Sequence, residues 1–108
     1  MSEYSFKLCR ASDIEEGLSK GLDRDEERFV AVRKDGELFL YQNRCPHLGL
    51  PLEWLEDQFL DADGALIQCA SHGALFVIES GACVAGPCQG QSLSPVAYEE
   101  RNGDIFIA

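Results

Sequence analysis

The first residues of the chain alternate between large apolar side chains and smaller or polar ones. The alternating stretch runs Tyr4, Ser5, Phe6, Lys7, Leu8, Cys9. A period of two is typical of a β-strand, and it would place Tyr4, Phe6 and Leu8 on one face. The mostly polar residues 11–17 that follow predict a turn.

Two further runs predict a β-hairpin. Residues 28–34 and 37–42 are rich in β-branched and aromatic side chains, and Asp35 and Gly36 separate them. An Asp-Gly pair tolerates the positive φ angles that a two-residue hairpin turn requires. We therefore expect two antiparallel strands with their turn at Asp35 and Gly36.

The end of the chain repeats this pattern. Residues 93–99 and 104–108 form the arms of a second predicted hairpin, and Asn102 and Gly103 form its turn. Both arms contain β-branched or aromatic residues, which favour strands. The two ends of the chain thus predict an all-β domain.

The interior, residues 43–91, differs in composition from both ends. It contains three of the four prolines and four of the five cysteines, which predicts ordered loops. Residues 65–68 and 74–78 are short strand candidates beside Gly-containing turns. Residues 53–63 have apolar side chains near helical spacing and form the one candidate helix.

Composition limits the classes of function. Of the 108 residues 45% are hydrophobic, and 19 acidic against 9 basic side chains give a formal net charge of −10. This apolar content predicts one folded domain over residues 1–108, without repeats or linkers. The negative charge repels phosphates, so nucleic acid and membrane surfaces are not expected partners. The chain has no apolar run near the ~20 residues that cross a bilayer and no signal-peptide pattern, so we expect a cytoplasmic protein.

The cysteines and histidines point to a metal. Five cysteines in a cytoplasmic chain argue against a disulfide scaffold, because the cytosol keeps thiols reduced. The chain has two histidines, and each follows a cysteine closely: His47 follows Cys45, and His72 follows Cys69. A single histidine is more often an ordinary surface or core residue than a ligand, but the paired pattern favours ligation.

The spacing bears on the number of metals. Zinc sites built from local pairs usually separate their ligands by two to four residues, and Cys45 and His47 are closer than that. Two metal ions that share four ligands fit the spacing better. A zinc-bound interaction domain with the same four residues remains the alternative.

These motifs resemble those of Rieske iron–sulfur proteins. The first motif is C-P-H-L-G, from Cys45 to Gly49, and the second is C-x-x-H-G, from Cys69 to Gly73. The resemblance implies a [2Fe-2S] cluster in which Cys45 and Cys69 bind one iron and His47 and His72 bind the other. It also implies an antiparallel β-sandwich with a small, loop-rich cluster-binding subdomain at about residues 43–91.

A third loop extends the resemblance. Gly86 and Pro87 resemble the proline loop that covers the cluster in this family. Cys83 and Cys88 flank that loop and could pair with each other, bind another metal or fill the core, and the last interpretation is favoured. Cys9, on a predicted strand, is also expected to be a core residue.

Three departures from the family pattern refine the expectation. The 21 residues between His47 and Cys69 form a longer interval than most members have. Leu50 and Ser71 stand where respiratory members carry a disulfide between the two loops, so the chain resembles the soluble ferredoxin type. Ala74 replaces a serine that donates to a cluster sulfur in high-potential members. We therefore expect a potential toward the lower end of the roughly −150 to +300 mV Rieske range.

The resemblance implies an electron carrier rather than an enzyme. Such a ferredoxin accepts one electron from a flavin-containing reductase and passes it to an oxygenase or another redox enzyme. The acidic charge would steer it toward a basic partner. Trp54 and the acids of residues 53–63 form either a docking surface or a solvated loop. The alternative function is a Rieske-like small subunit or regulatory module of a larger oxidoreductase.

Overall fold

Three antiparallel sheets of three strands each make up the described part of the chain. The computed structural model describes residues 4–44, 52, 59–61, 64–69 and 73–108. The strands are β1 Phe6–Arg10, β2 Ser19–Arg24, β3 Glu27–Lys34, β4 Glu37–Gln42, β5 Leu66–Gln68, β6 Leu75–Val77, β7 Cys83–Ala85, β8 Glu99–Arg101 and β9 Asp104–Ile107. A 3₁₀ turn, Ala11–Asp13, follows β1. Within these residues no helix is long and apolar enough to cross a membrane. The predicted all-β antiparallel class is confirmed.

The central sheet has the order β2-β3-β4 and contains the first predicted hairpin. Val30 pairs with Tyr41 across β3 and β4, and the register continues to the turn. Asp35 and Gly36 have φ angles of 55° and 79°, as a two-residue turn of this kind demands. This hairpin prediction is confirmed.

Strand β3 is buried on both faces. Phe29 and Ala31 belong to one hydrophobic cluster, whereas Val30 and Val32 belong to the other. Alternate residues of a strand point to opposite faces, so the central sheet has a core on each side. The other two sheets pack on these two sides.

The sheet β1-β9-β8 covers the first face. Cys9, Ile105 and Ile107 pack there with Phe29 and further residues of the central sheet. The predicted turn at the end of the chain is confirmed, because Asn102 and Gly103 have φ angles of 53° and 82°.

The first arm of this terminal hairpin is shorter than predicted. The strand β8 begins at Glu99, although the prediction began at residue 93. Residues 94–96 instead run beside β4, where Gln42 N–H donates to Ser94 O and Val96 N–H donates to Leu40 O, each at 2.9 Å. The apolar character of this segment serves packing against β4 rather than pairing with β9.

The strand predicted at the start of the chain is confirmed as β1, but a β-bulge interrupts its alternation. Leu8 is partly buried and packs against the same cluster as Cys9. The register with β9 shifts between Lys7 and Cys9, as at a β-bulge. The bulge brings Cys9 into the core, which confirms the expectation that Cys9 is a core residue, whereas Phe6 is 40% exposed. The Phe6 ring instead lies under the Arg24 guanidinium, whose carbon is 4.8 Å from the ring centre.

The sheet β5-β6-β7 covers the second face of the central sheet. Ile67, Phe76 and Ile78 join Val30 and Tyr41 in one cluster. The Tyr41 hydroxyl donates to the carbonyl of Ile78 at 2.6 Å in a buried hydrogen bond between the two layers. The short strands predicted in residues 65–68 and 74–78 are therefore confirmed, whereas β7 was not predicted.

Two other elements differ from the sequence expectation. Strand β2 was not predicted, because its sequence, S-K-G-L-D-R, has little apolar alternation. The candidate helix, residues 53–63, is described only at residues 59–61. There Leu60 forms an antiparallel bridge with Ile67, so the helix prediction is wrong at this end. Asp61 is the one acid of this stretch that lies within the described residues. Trp54 and the other four acids, Glu53, Glu56, Asp57 and Asp63, lie outside them.

Stability should fall at alkaline pH because of Cys9. Burial raises the pKa of the Cys9 thiol to about 11, and Asp13 adds to this. An unfolded chain releases this proton at lower pH, so the stability is complete below the ordinary pKa and is lost as the pH rises through about 11. Denaturant unfolding between pH 8 and 11 should show a shallower decline for Cys9→Ala than for the parent. Burial also raises the pKa of Tyr41 and Tyr98, so a residual decline is expected. Parallel curves for the two proteins would contradict the assignment to Cys9.

Candidate metal centre

The second loop, residues 69–74, joins β5 to β6. Cys69 N–H donates to Ala74 O at 2.8 Å, and Gly73 N–H donates to Cys69 O at 2.8 Å. Gly73 has a φ of 68°, in the left-handed region that glycine adopts without strain. The first and last residues of the motif, Cys69 and Gly73, are therefore held together after the end of β5.

Cys69 is fully buried, and it packs in an apolar cluster of the described residues. It lies in the cluster that contains Ile67 and Phe76. A cysteine ligand is a thiolate, and a thiolate in such surroundings needs a nearby positive charge. A metal ion supplies that charge, so the chemistry of this position fits a metal ligand.

The other three predicted ligands, Cys45, His47 and His72, lie outside the described residues. So do Gly49, Leu50 and Ser71. Within the described part of the chain no group of three or more Cys, His, Asp or Glu side chains forms a metal site. The structure therefore describes the ends of the two ligand-bearing loops, together with Cys69.

The first loop, residues 43–52, is closed by a buried side chain. The Asn43 side-chain oxygen Oδ1 accepts a 2.8 Å hydrogen bond from the backbone N–H of Leu52. Asn43 N–H donates to Arg28 O at 2.9 Å, which ties the start of the loop to β3. Leu52 is fully buried in the same cluster as Cys69. The predicted ligands Cys45 and His47 therefore lie between two fixed ends.

Sequence reasoning did not single out Asn43. It is the one buried polar residue within the described residues, at 7% exposure. Its place two residues before Cys45 was the available signal, since asparagine often closes loops through its side chain.

The proline loop, residues 84–88, packs on the second loop. Gly86 has a φ of 95°, and a Cβ atom at this position would lie 2.7 Å from the Cα of Ala74. The two backbones are therefore in direct contact. Leu52, Ala74 and Cys88 belong to one cluster, so all three loops converge on the same core.

Two glycines in this region allow the free-energy cost of a steric contact to be measured separately from the cost of backbone strain. Gly86 and Gly90 have φ angles of 95° and 91°, but a Cβ at Gly90 would meet nothing within 4 Å. Alanine at either site should cost about 1–2 kcal/mol for the left-handed conformation. Gly86→Ala should cost more than Gly90→Ala, because it also displaces Ala74. Denaturant unfolding of both variants measures the difference, and equal losses would exclude the contact.

Removing the Asn43 side chain should loosen the first loop. In Asn43→Ala the buried N–H of Leu52 loses its acceptor, which should cost roughly 1–3 kcal/mol of unfolding free energy. The variant should also retain less iron and acid-labile sulfide after purification. The exposed neighbour Gln42 provides the control, Gln42→Ala. Parent-like stability and iron content in Asn43→Ala would show that this bond does not hold the loop.

Comparisons with known proteins agree with this arrangement. A family model described as Rieske [2Fe-2S] domain matches residues 5–99. The ferredoxin CarAc of Metapseudomonas resinovorans is 28% identical over 100% of this chain and 96% of its own length. The biphenyl dioxygenase ferredoxin subunit of Pseudomonas sp. (strain KKS102) is 25% identical over 94% of this chain and 88% of its own.

A solved structure shows the same fold. The ferredoxin of Sphingomonas yanoikuyae B1 superposes with a TM-score of 0.75 and 26% identity, over 94% of this chain and 95% of that one. The family implies a cofactor, and the buried thiol and the three converging loops fit it. The chain belongs to the Rieske [2Fe-2S] family and carries a Rieske-type [2Fe-2S] cluster.

Proposed function

We propose that the protein is a ferredoxin that accepts one electron from a reductase and delivers it to an oxygenase component. The observation that carries the proposal is the match with two ferredoxins over nearly the whole of this chain. The matches also cover 96% and 88% of the lengths of those two ferredoxins. One of them is named as the ferredoxin subunit of a biphenyl dioxygenase. The protein is then a carrier within an oxidoreductase system and does not itself transform a substrate.

Four residues are proposed as the cluster ligands. Cys45 and Cys69 bind one iron as thiolates, and His47 and His72 bind the other through neutral imidazoles. The burial of Cys69 at the end of β5 supports its part in this set. The hydrogen bond between Asn43 and Leu52 supports the position of the first pair, because it closes the loop that contains both residues.

When bound, the cluster supplies a one-electron redox couple, and its reduction changes the charge of the site by one unit. Contacts within the protein limit the structural rearrangement that accompanies this change. Hydrogen bonds close the second loop at Cys69 and Ala74, and the first loop is closed at Asn43. Gly86 packs the proline loop on Ala74. Loop ends that are held in this way keep reorganisation small, which favours rapid electron transfer.

The net charge supports a basic partner surface. A protein with a formal charge of −10 approaches a positively charged patch faster than a neutral protein does, and salt screens this attraction. We place the carrier in the cytoplasm and assign residues 1–108 to one domain, with a cluster-binding subdomain at about 43–91. The three loops that meet in one core support these subdomain bounds.

The first test is spectroscopic and uses ligand variants. The purified protein should be red-brown, contain two irons and two sulfides per chain, and bleach with dithionite. Cys45→Ser, His47→Ala, Cys69→Ser and His72→Ala should each lose this spectrum. Cys9→Ser is the matched control, because Cys9 is a buried cysteine in the other hydrophobic cluster and should leave the spectrum intact. A colourless, redox-silent zinc protein would contradict the proposal.

A second test measures the transfer itself. The protein should be reduced by a flavin-containing reductase and should then reduce a Rieske oxygenase. The rate should fall as ionic strength rises, because salt screens the attraction between partners. Voltammetry should give a midpoint toward the lower end of the family range. A stable complex with one large oxidoreductase and no exchange between partners would instead indicate a fixed subunit.

A further inference from the structure

Two cysteines outside the proposed ligand set are in direct contact. Cys83 is the first residue of β7, and Cys88 follows Pro87 on the other side of the proline loop. Their Sγ atoms are 2.8 Å apart, and both residues are buried. The sequence left pairing, metal binding and core filling open, and this contact favours pairing.

The backbone holds the two cysteines in this arrangement. Cys83 N–H donates to Gln91 O at 2.9 Å, and Gln91 N–H donates to Cys88 O at 2.9 Å. The Gln89 side chain donates to Val84 O at 3.0 Å across the same loop. These three hydrogen bonds hold the two ends of the loop together, so the two sulfur atoms lie opposite each other. A disulfide bond is about 2.05 Å long, so the atoms need to approach by less than one ångström.

The two thiols differ in access. Cys83 is 8% exposed and Cys88 is 1% exposed, so Cys83 is the more exposed residue of the two. This difference suits a two-step exchange, in which the more exposed cysteine reacts first and the other displaces the small thiol from the product.

We propose that Cys83 and Cys88 form a reversible disulfide across the proline loop, with a low-molecular-weight disulfide such as glutathione disulfide as the oxidant. The Cys83 thiolate attacks the small disulfide and releases one thiol, which leaves a mixed disulfide. The sulfur of Cys88 then displaces the second small thiol and forms the protein disulfide. Two electrons pass to the small disulfide, and the two thiol protons end on the released thiols.

This bond would clamp the proline loop on the second loop. Gly86 lies between the two cysteines in sequence, and its backbone touches Ala74. Ala74 in turn accepts the hydrogen bond from Cys69 N–H. A covalent link between Cys83 and Cys88 restricts the segment that contains Gly86, and so it restricts motion away from Ala74.

The test uses the cluster-loaded protein and a protease that cleaves after glutamate. Glu79 and Glu99 bound a peptide, residues 80–99, that contains Cys83 and Cys88 and no other cysteine. The protein is equilibrated with mixtures of oxidised and reduced glutathione, and the reaction is quenched with acid. Free thiols are then alkylated, the protein is digested, and the peptides are analysed by mass spectrometry. The peptide should lose two hydrogen atoms and resist alkylation as the oxidised fraction rises, and a thiol reductant should reverse this. The peptide of residues 4–15, which contains Cys9, should stay alkylated throughout.

Matched variants make the result decisive. Cys83→Ser should abolish the internal disulfide, and Cys88→Ser should leave at most a glutathione adduct on Cys83. Both variants should keep the cluster spectrum, so failure of this proposal is distinguishable from failure of the proposed electron transfer. In the oxidised parent, amide hydrogen exchange of residues 84–91 should slow. A peptide alkylated twice at every ratio, or unchanged exchange after oxidation, would overturn the proposal.

Discussion

The double burial of β3 is the constraint on which the rest of the structure depends. Its residues from Phe29 to Val32 are all buried, and they alternate between two hydrophobic clusters. A strand with an apolar core on each face needs a layer of protein on each side. The terminal sheet supplies one layer. The sheet β5-β6-β7, which adjoins both ends of the second loop, supplies the other.

This arrangement explains why a loop-rich region has defined ends. Short strands are weak by themselves, and β5, β6 and β7 have three residues each. They are stabilised because Ile67 and Phe76 share one hydrophobic cluster with Val30 of the central sheet. The Tyr41 hydroxyl also donates a hydrogen bond to the carbonyl of Ile78. The second loop begins and ends on these strands. The positions of its two ends are therefore determined by the same apolar contacts that stabilise the domain.

The metal centre also depends on a few polar and steric details. Asn43 bridges the ends of the first loop with one side-chain oxygen, and Gly86 lets two backbones touch. Neither feature binds a metal, but Asn43 restricts the ends of the first loop, and Gly86 packs on Ala74 at the end of the second loop. Restriction of this kind keeps the geometry of a redox centre similar in both oxidation states. The Cys83 and Cys88 pair lies in the same region and adds a contact that can become covalent.

The sequence by itself determined the fold class, the family and the two hairpin turns, and the ligand set of four residues is proposed from it alone. These properties depend on local patterns: apolar alternation, Asp-Gly and Asn-Gly pairs, and short motifs of cysteine and histidine. Tertiary structure alone decided the bulge in β1, the pairing of β2, and the antiparallel bridge between Leu60 and Ile67. It also decided that Asn43 meets Leu52 and that Gly86 meets Ala74. Such contacts join residues far apart in the chain or across a loop, and no local pattern specifies which distant backbone will lie opposite.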